Sequence, residues 1–116
     1  MRTNKVASTG FIALSLALTV QPLPAQEDGT IPPARQDELI HLLKQDCGSC
    51  HGLTLEGGLG PPLLPANLSA KPTEWLRQVI LDGIPGTAMP PWRPILSEAE
   101  VDWLVTIMQQ GLPHGH

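Results

Sequence analysis

Cys47, Cys50 and His51 stand in the run Cys47-Gly48-Ser49-Cys50-His51, and the two cysteines are the only ones in the 116-residue chain. C-x-x-C-H spacing reads as a site for covalent attachment of a c-type haem. Two thiols three positions apart on one helical turn can each add to a haem vinyl group. The histidine that follows then lies against the iron and can ligate it from the proximal side. Competing chemistries fit less well. A thiol redox pair of this spacing usually ends a strand in a βαβ pattern, which the sequence lacks. Zinc needs two more cysteine or histidine ligands at comparable spacing, and His41, His114 and His116 are not so arranged. A disulfide across two residues closes too short a loop to stabilise much.

Iron held by one histidine leaves an opposite position, for which the candidates are Met89, Met108, His41 and the two histidines of the C-terminal tail. Met89 lies in Gly86-Thr87-Ala88-Met89-Pro90-Pro91-Trp92, where proline-stiffened backbone can carry a side chain over a haem face. Met108 shares a helical stripe with positions 101, 104 and 105 and reads as core packing. Met89 is therefore the better candidate. A His/Met pair raises the reduction potential relative to two histidines, and a thioether favours the softer ferrous state. Filling both axial positions leaves none for substrate. This combination points to outer-sphere electron transfer and away from catalysis.

The elements that must position these residues are helices. Pro32-Pro33 sets up a helix start, and Leu39, Ile40, Leu42 and Leu43 predict a helix over residues 34–46 that runs straight into Cys47. His41 falls between the apolar positions and points to solvent. Residues 52–71 read as loop, because Gly57-Gly58-Leu59-Gly60-Pro61-Pro62-Leu63 cannot continue a helix. A second helix fits residues 72–82, with Pro72 in its first turn. Its buried stripe is Trp75, Leu76, Val79 and Ile80, and Gly83 is its stop. A third fits residues 98–110, opened by a Ser97/Glu100 capping box and closed by Gly111. Val101, Leu104, Val105 and Met108 form its apolar face. No segment alternates as a strand does, so the expected fold class is all-α.

Residues 1–25 read as a secretory signal peptide: Arg2 and Lys5, an apolar stretch from Phe11 to Val20, then a breaker ending in Ala25. An uncleaved anchor is the alternative, because Leu23 is larger than the small residue preferred three places before a cleavage site. Export brings both thiols to an oxidising compartment, where they must be delivered reduced to haem. Residues 26–116 then carry eleven acids and five bases, a formal charge of −6. Acidity of this degree argues against nucleic acid or anionic membrane as partner. It suits steering toward a basic docking patch. Those residues hold three tryptophans but no Phe and no Tyr, so a porphyrin would supply the aromatic core that a small domain lacks. The apoprotein is accordingly expected to be unfolded or molten.

Over residues 35–111 the order of helix, C-x-x-C-H, Gly-Pro loop, helix, Met-Pro loop and final helix resembles the class I cytochromes c. The resemblance implies three main helices and loops wrapped around one covalently attached haem c. In that family the proline of a Gly-Pro-x-Leu run accepts a hydrogen bond from the proximal histidine, so Gly60-Pro61-Pro62-Leu63 assigns Pro61 to His51. An aromatic residue on the last helix packs against the first, a place that only Trp103 could take. A narrower likeness is carried by Cys47 to Gly52, Gly57 to Pro61, Met89-Pro90-Pro91-Trp92 and Leu96-Ser97-Glu98-Ala99. These segments resemble the small c55X-type cytochromes c that accompany the haem c/haem d1 nitrite reductase of denitrifying bacteria. What the resemblance implies is a periplasmic, monomeric carrier that donates electrons to that reductase. An accessory role in maturation of the reductase or its d1 haem is the alternative. The expected organisation is a signal peptide over 1–25, a flexible leader over 26–34, a cytochrome c domain over 35–111 and a flexible tail over 112–116.

Overall fold

The computed structural model describes residues 30–113; the expected signal peptide, most of the leader and His114 to His116 lie outside the described residues. Pro33 opens α1 (Pro33–Leu42) at a position where a missing N–H costs nothing. Leu39 and Ile40 turn inward, and His41 is exposed as expected. The helix over 34–46 is not regular to its end. Leu43–Cys47 forms a π-helical turn in which the Gly48 N–H donates to the Leu43 carbonyl five residues back. α2 (Gly48–His51) follows without a break. A π turn takes one more residue than an α turn, so the side chains after it are rotated relative to the register of α1.

The expected loop over 52–71 contains one short helix, α3 (Pro65–Leu68). Pro65 starts it and Leu68 anchors it in the core, so a proline that composition reads as a breaker acts here as a first-turn residue. α4 (Thr73–Asp82) stops at Gly83, whose φ of 68° only glycine adopts freely. α5 (Glu98–Gln110) begins with the capping box read from the sequence. Ser97 N–H donates to Glu100 Oε2 at 2.8 Å, and Glu100 N–H donates to Ser97 Oγ at 3.3 Å.

α5 is the element against which the others pack: it contacts α4, α3 and α1. Val101, Leu104, Val105, Ile107 and Met108 form its buried face, one residue wider than the stripe expected. Leu39, Leu43, Leu68, Leu76 and Leu81 meet it, and Trp103 is partly buried against the same core. Leu55, buried with a φ of 60°, and Leu96 come from the loops. The stripe expected on α4 divides differently. Leu76 and Leu81 are buried, whereas Trp75 is 50% exposed and Val79 and Ile80 only partly covered. All three side chains line a cleft, and of them Ile80 also packs against the core.

Ion pairs tie the start of α5 to its neighbours. Arg35 of α1 reaches Glu100 at 2.6 Å, Arg77 of α4 pairs with Asp102, and Arg93 bridges Asp82 at 2.8 Å and Glu98 at 3.2 Å. Glu98, Glu100 and Asp102 lie in the first turns of α5, where the helix dipole favours negative charge. Exposed pairs contribute little on their own, but Glu100 is mostly covered and accepts from both Arg35 and the Ser97 N–H. The Arg35 hydrogen bond, more than the Ser97 contacts, holds its carboxyl below the ordinary value of 4.5. A depressed folded value means that the stabilisation is complete above the ordinary value and fades as pH falls through the folded one. Glu100→Gln keeps the capping geometry and removes the charge. It should lower stability by about 1 kcal/mol at neutral pH. In urea titrations the gap from wild type should close below pH 4.5; a gap unchanged in acid would exclude this role for the charge.

Candidate haem cleft

Four stretches of chain converge on a cleft of about 820 Å³. The π turn and α2 bring Cys47, Cys50 and His51 to one wall, and the loop after them brings Pro61. The connection between α4 and α5 brings Met89 and Trp92, and Leu104 and Met108 of α5 also line the cleft. Cys47, Cys50, His51, Pro61 and Met89, which the sequence singled out for the site, therefore all line the same cleft. Met108, the rival to Met89, does so as part of the buried face of α5. His41 lies elsewhere, in a surface depression with Asp37, Ile40 and Lys44.

The His51 ring has a defined orientation. Its Nδ1 lies 2.7 Å from the Pro61 carbonyl oxygen. A carbonyl only accepts, so Nδ1 carries a proton and donates, and in the neutral ring the lone pair open to a ligand bond is then on Nε2. The loop that supplies Pro61 is folded back on α2: Gly57 N–H donates to His51 O and Gly60 N–H to Cys50 O, both at 2.8 Å. Gly60 lies flat against the imidazole. A Cβ there would come within 2.6 to 3.1 Å of three ring atoms, closer than packed atoms allow. The glycine is required by contact with the histidine, not by its own backbone angle.

Met89 is held by a loop that closes on itself. Ile84 N–H donates to Met89 O at 3.2 Å, and Thr87 N–H donates to Ile84 O at 3.1 Å. The Thr87 hydroxyl donates to Ile84 O at 2.7 Å and accepts from Met89 N–H at 3.3 Å. Trp92 and Arg93 N–H groups then donate to Ile80 and Leu81 carbonyls at the end of α4. A Cβ on Gly83 would sit 2.7 Å from Met89 O, so the same glycine that ends α4 admits the methionine loop.

Burial, reinforced by Asp46, pushes the Cys47 thiol up to about 11, so in the folded chain it is neutral. The two cysteines are not joined to each other in a disulfide. Among the described residues no three histidine, cysteine or carboxylate groups are placed to hold a metal ion together. The sequence missed the part that Trp75 plays in the cleft. Lys71 stands 5.2 Å from its ring centroid, and the i, i+4 spacing of this pair was the available signal.

Comparison with known proteins agrees with this geometry. Residues 34–108 match the family model described as cytochrome c oxidase, cbb3-type, subunit III. The chain is 50% identical over 106 residues to cytochrome c55X of Pseudomonas aeruginosa, covering 90% of this chain and 89% of that one. It is 60% identical over 75 residues to cytochrome c55X of Paracoccus denitrificans, covering 63% and 73%. The solved structure of a c-type cytochrome NirC superposes with a TM-score of 0.69 at 51% identity, covering 71% of this chain and 96% of that one. The chain belongs to the cytochrome c55X family. A part of the dihydro-heme d1 dehydrogenase of P. aeruginosa is also similar, 42% identical over 72 residues that make up 62% of this chain and 15% of that protein.

The all-α fold is thus that of a c-type cytochrome, an electron carrier rather than an enzyme, whose cofactor is haem c. The residues present fit such a group. The cleft has the volume of a cofactor site, and it brings together two thiols, an imidazole with Nε2 free and a thioether. The glycine contacts make a differential prediction. Gly86 has a φ of 77° with nothing within 4 Å of the methyl that alanine would place there, whereas Gly83 has both positive φ and a blocked Cβ direction. Gly86→Ala should cost about 1 kcal/mol of left-handed strain, and Gly83→Ala about 2–3 kcal/mol more through displacement of the methionine loop. Equal losses in urea denaturation would contradict the contact.

Proposed function

We propose that this cytochrome is an exported monohaem carrier in which haem c is attached through Cys47 and Cys50 and ligated by His51 and Met89. The observation that carries this reading is the 2.7 Å contact from His51 Nδ1 to the Pro61 carbonyl, made in the cleft that Met89 also lines. Bound haem supplies one-electron exchange at its iron. The residues do the rest. Cys47 and Cys50 would hold the group as thioethers, each thiol adding its sulfur to one vinyl carbon and its hydrogen to the neighbouring one with no net oxidation. Pro61 fixes the histidine tautomer and raises its basicity as a ligand. The Met89 thioether would be the second protein ligand to the iron and would raise the potential. The domain spans residues 35–111, between a leader over 26–34 and a tail over 112–116.

Residues 1–25 act as the signal that takes the chain to the periplasm, and no helix among the described residues is long and apolar enough to cross a membrane. The partner is the haem c/haem d1 nitrite reductase, met by a monomer in a brief encounter that buries less than about 1,200 Å². Likeness to cytochrome c55X proteins and to a NirC supports that assignment. Likeness to a dihydro-heme d1 dehydrogenase favours a second reading, in which the cytochrome serves maturation of d1 haem or of the reductase. Deletion of the protein separates the two. Reductase that retains d1 haem but lacks electron supply supports the carrier; reductase without d1 haem sinks it.

Met89→Ala should leave haem attached, lower the reduction potential and allow the ferrous protein to bind carbon monoxide at once. Wild-type potential with no carbon monoxide binding would remove Met89 from the axial position.

A further inference from the structure

The segment that carries Met89 joins α4 to α5, and it is gripped at its base. Trp92 and Arg93 N–H groups donate to Ile80 O and Leu81 O, both at 3.1 Å. They satisfy carbonyls that the last turn of a helix leaves without an intrahelical partner. α4 has no basic residue of its own in that turn. The positive charge that its dipole favours there comes from the far end of the loop, on the Arg93 side chain. Nε and Nη2 of Arg93 lie 2.9 and 2.8 Å from Asp82 Oδ1, and Nη1 lies 3.2 Å from Glu98 Oε1. Asp82 is the last residue of α4 and Glu98 the first of α5. One guanidinium therefore ties together the two helix ends from which the methionine loop hangs. Asp82 is also held from within its own helix, where Gln78 donates to Oδ2.

These side chains are half exposed, Arg93 by 50%, and pairs so open to water add little to the stability of a whole domain. They weigh more on a local event. Loops open by small equilibria of their own, well below the cost of global unfolding. An interaction that closes the loop at its base acts on that equilibrium in full. Arg77 and Asp102 join the same two helices, but neither stands at an end of the loop. Arg93 does not line the cleft, so its influence on the site passes through the loop.

We propose that Arg93 is a positioning residue for Met89: a clamp at the base of the loop that sets how readily the thioether leaves the iron. The exchange that reports this is replacement of methionine by imidazole in the ferric protein. A sulfur–iron bond breaks, a nitrogen–iron bond forms, and no electron is transferred.

The inference rests on Met89 as the axial ligand. The test is titration of the ferric holoprotein with imidazole, followed in the visible spectrum, with urea denaturation of each variant alongside. Arg93→Gln should raise imidazole affinity by about 3- to 10-fold, tenfold being about 1.4 kcal/mol. Asp82→Asn should give a smaller rise, and the double variant should match Arg93→Gln alone, because contacts within one network are not additive. Arg77→Gln should leave imidazole affinity unchanged whatever it does to the urea midpoint. Salt screens exposed pairs, so raising salt should bring wild type toward Arg93→Gln and move the variant less. Unchanged affinity in Arg93→Gln would overturn the clamp. So would an equal rise in Arg77→Gln, which would report general packing of α4 on α5, or additive effects of Asp82→Asn and Arg93→Gln. Met89→Ala separates the two levels. If it binds imidazole no better than wild type, the axial reading fails and the clamp with it; if it binds far better while Arg93→Gln does not, only the clamp fails.

Discussion

The buried face of α5 is the constraint on which the rest of the molecule depends. Five apolar side chains on one helix serve α1, α3 and α4 together. A short chain cannot build separate cores for each contact, since small domains bury too little surface to be wasteful. The ion pairs follow the same plan, because the acids in the first turns of α5 are where Arg35, Arg77 and Arg93 converge. Two residues of α5, Leu104 and Met108, are both core and cleft lining. Packing and site are therefore not independent properties here.

The two loops that complete the cleft use one device. In each, a glycine lets backbone approach closely, prolines limit where the chain can go, and a carbonyl is left in a useful place. Gly60 lies on the imidazole and Pro61 offers its oxygen to Nδ1. Gly83 lies on the Met89 carbonyl, which accepts from Ile84. Side chains contribute less to these loops than the main chain does. This is why a segment with no secondary structure can still position a side chain.

Much of this was legible in the amino-acid order. The capping box, the glycine stops and the proline starts placed α4 and α5 within a residue, because each is a local device whose chemistry is complete within a few positions. The cysteines, His51 and Met89 could be named because their types are scarce and their spacings specific, whereas Pro61 could be named only through the resemblance of its run to that of the class I cytochromes c. The π turn at Leu43–Cys47 was not legible, since apolar periodicity continues through it and only the hydrogen-bond register changes. Pro65–Leu68 was hidden because its proline looks the same before a helix as inside a loop. Trp75 was misread for a more instructive reason. Helical spacing reports that a face avoids water, but it does not say whether protein or cofactor does the covering.

The self-closed loop from Ile84 to Met89 has a kinetic consequence. For a protein that passes single electrons, the barrier depends on how far the surroundings of the redox centre must rearrange when the charge changes. A loop whose two ends are tied to each other and to Thr87 by hydrogen bonds has fewer alternative arrangements to relax into. Groups that are oriented beforehand do not have to reorganise during the event. With Met89 in the place proposed for it, the hydrogen bonds of Thr87 and Ile84 would act on the rate of exchange, through a low reorganisation energy, without touching the centre itself.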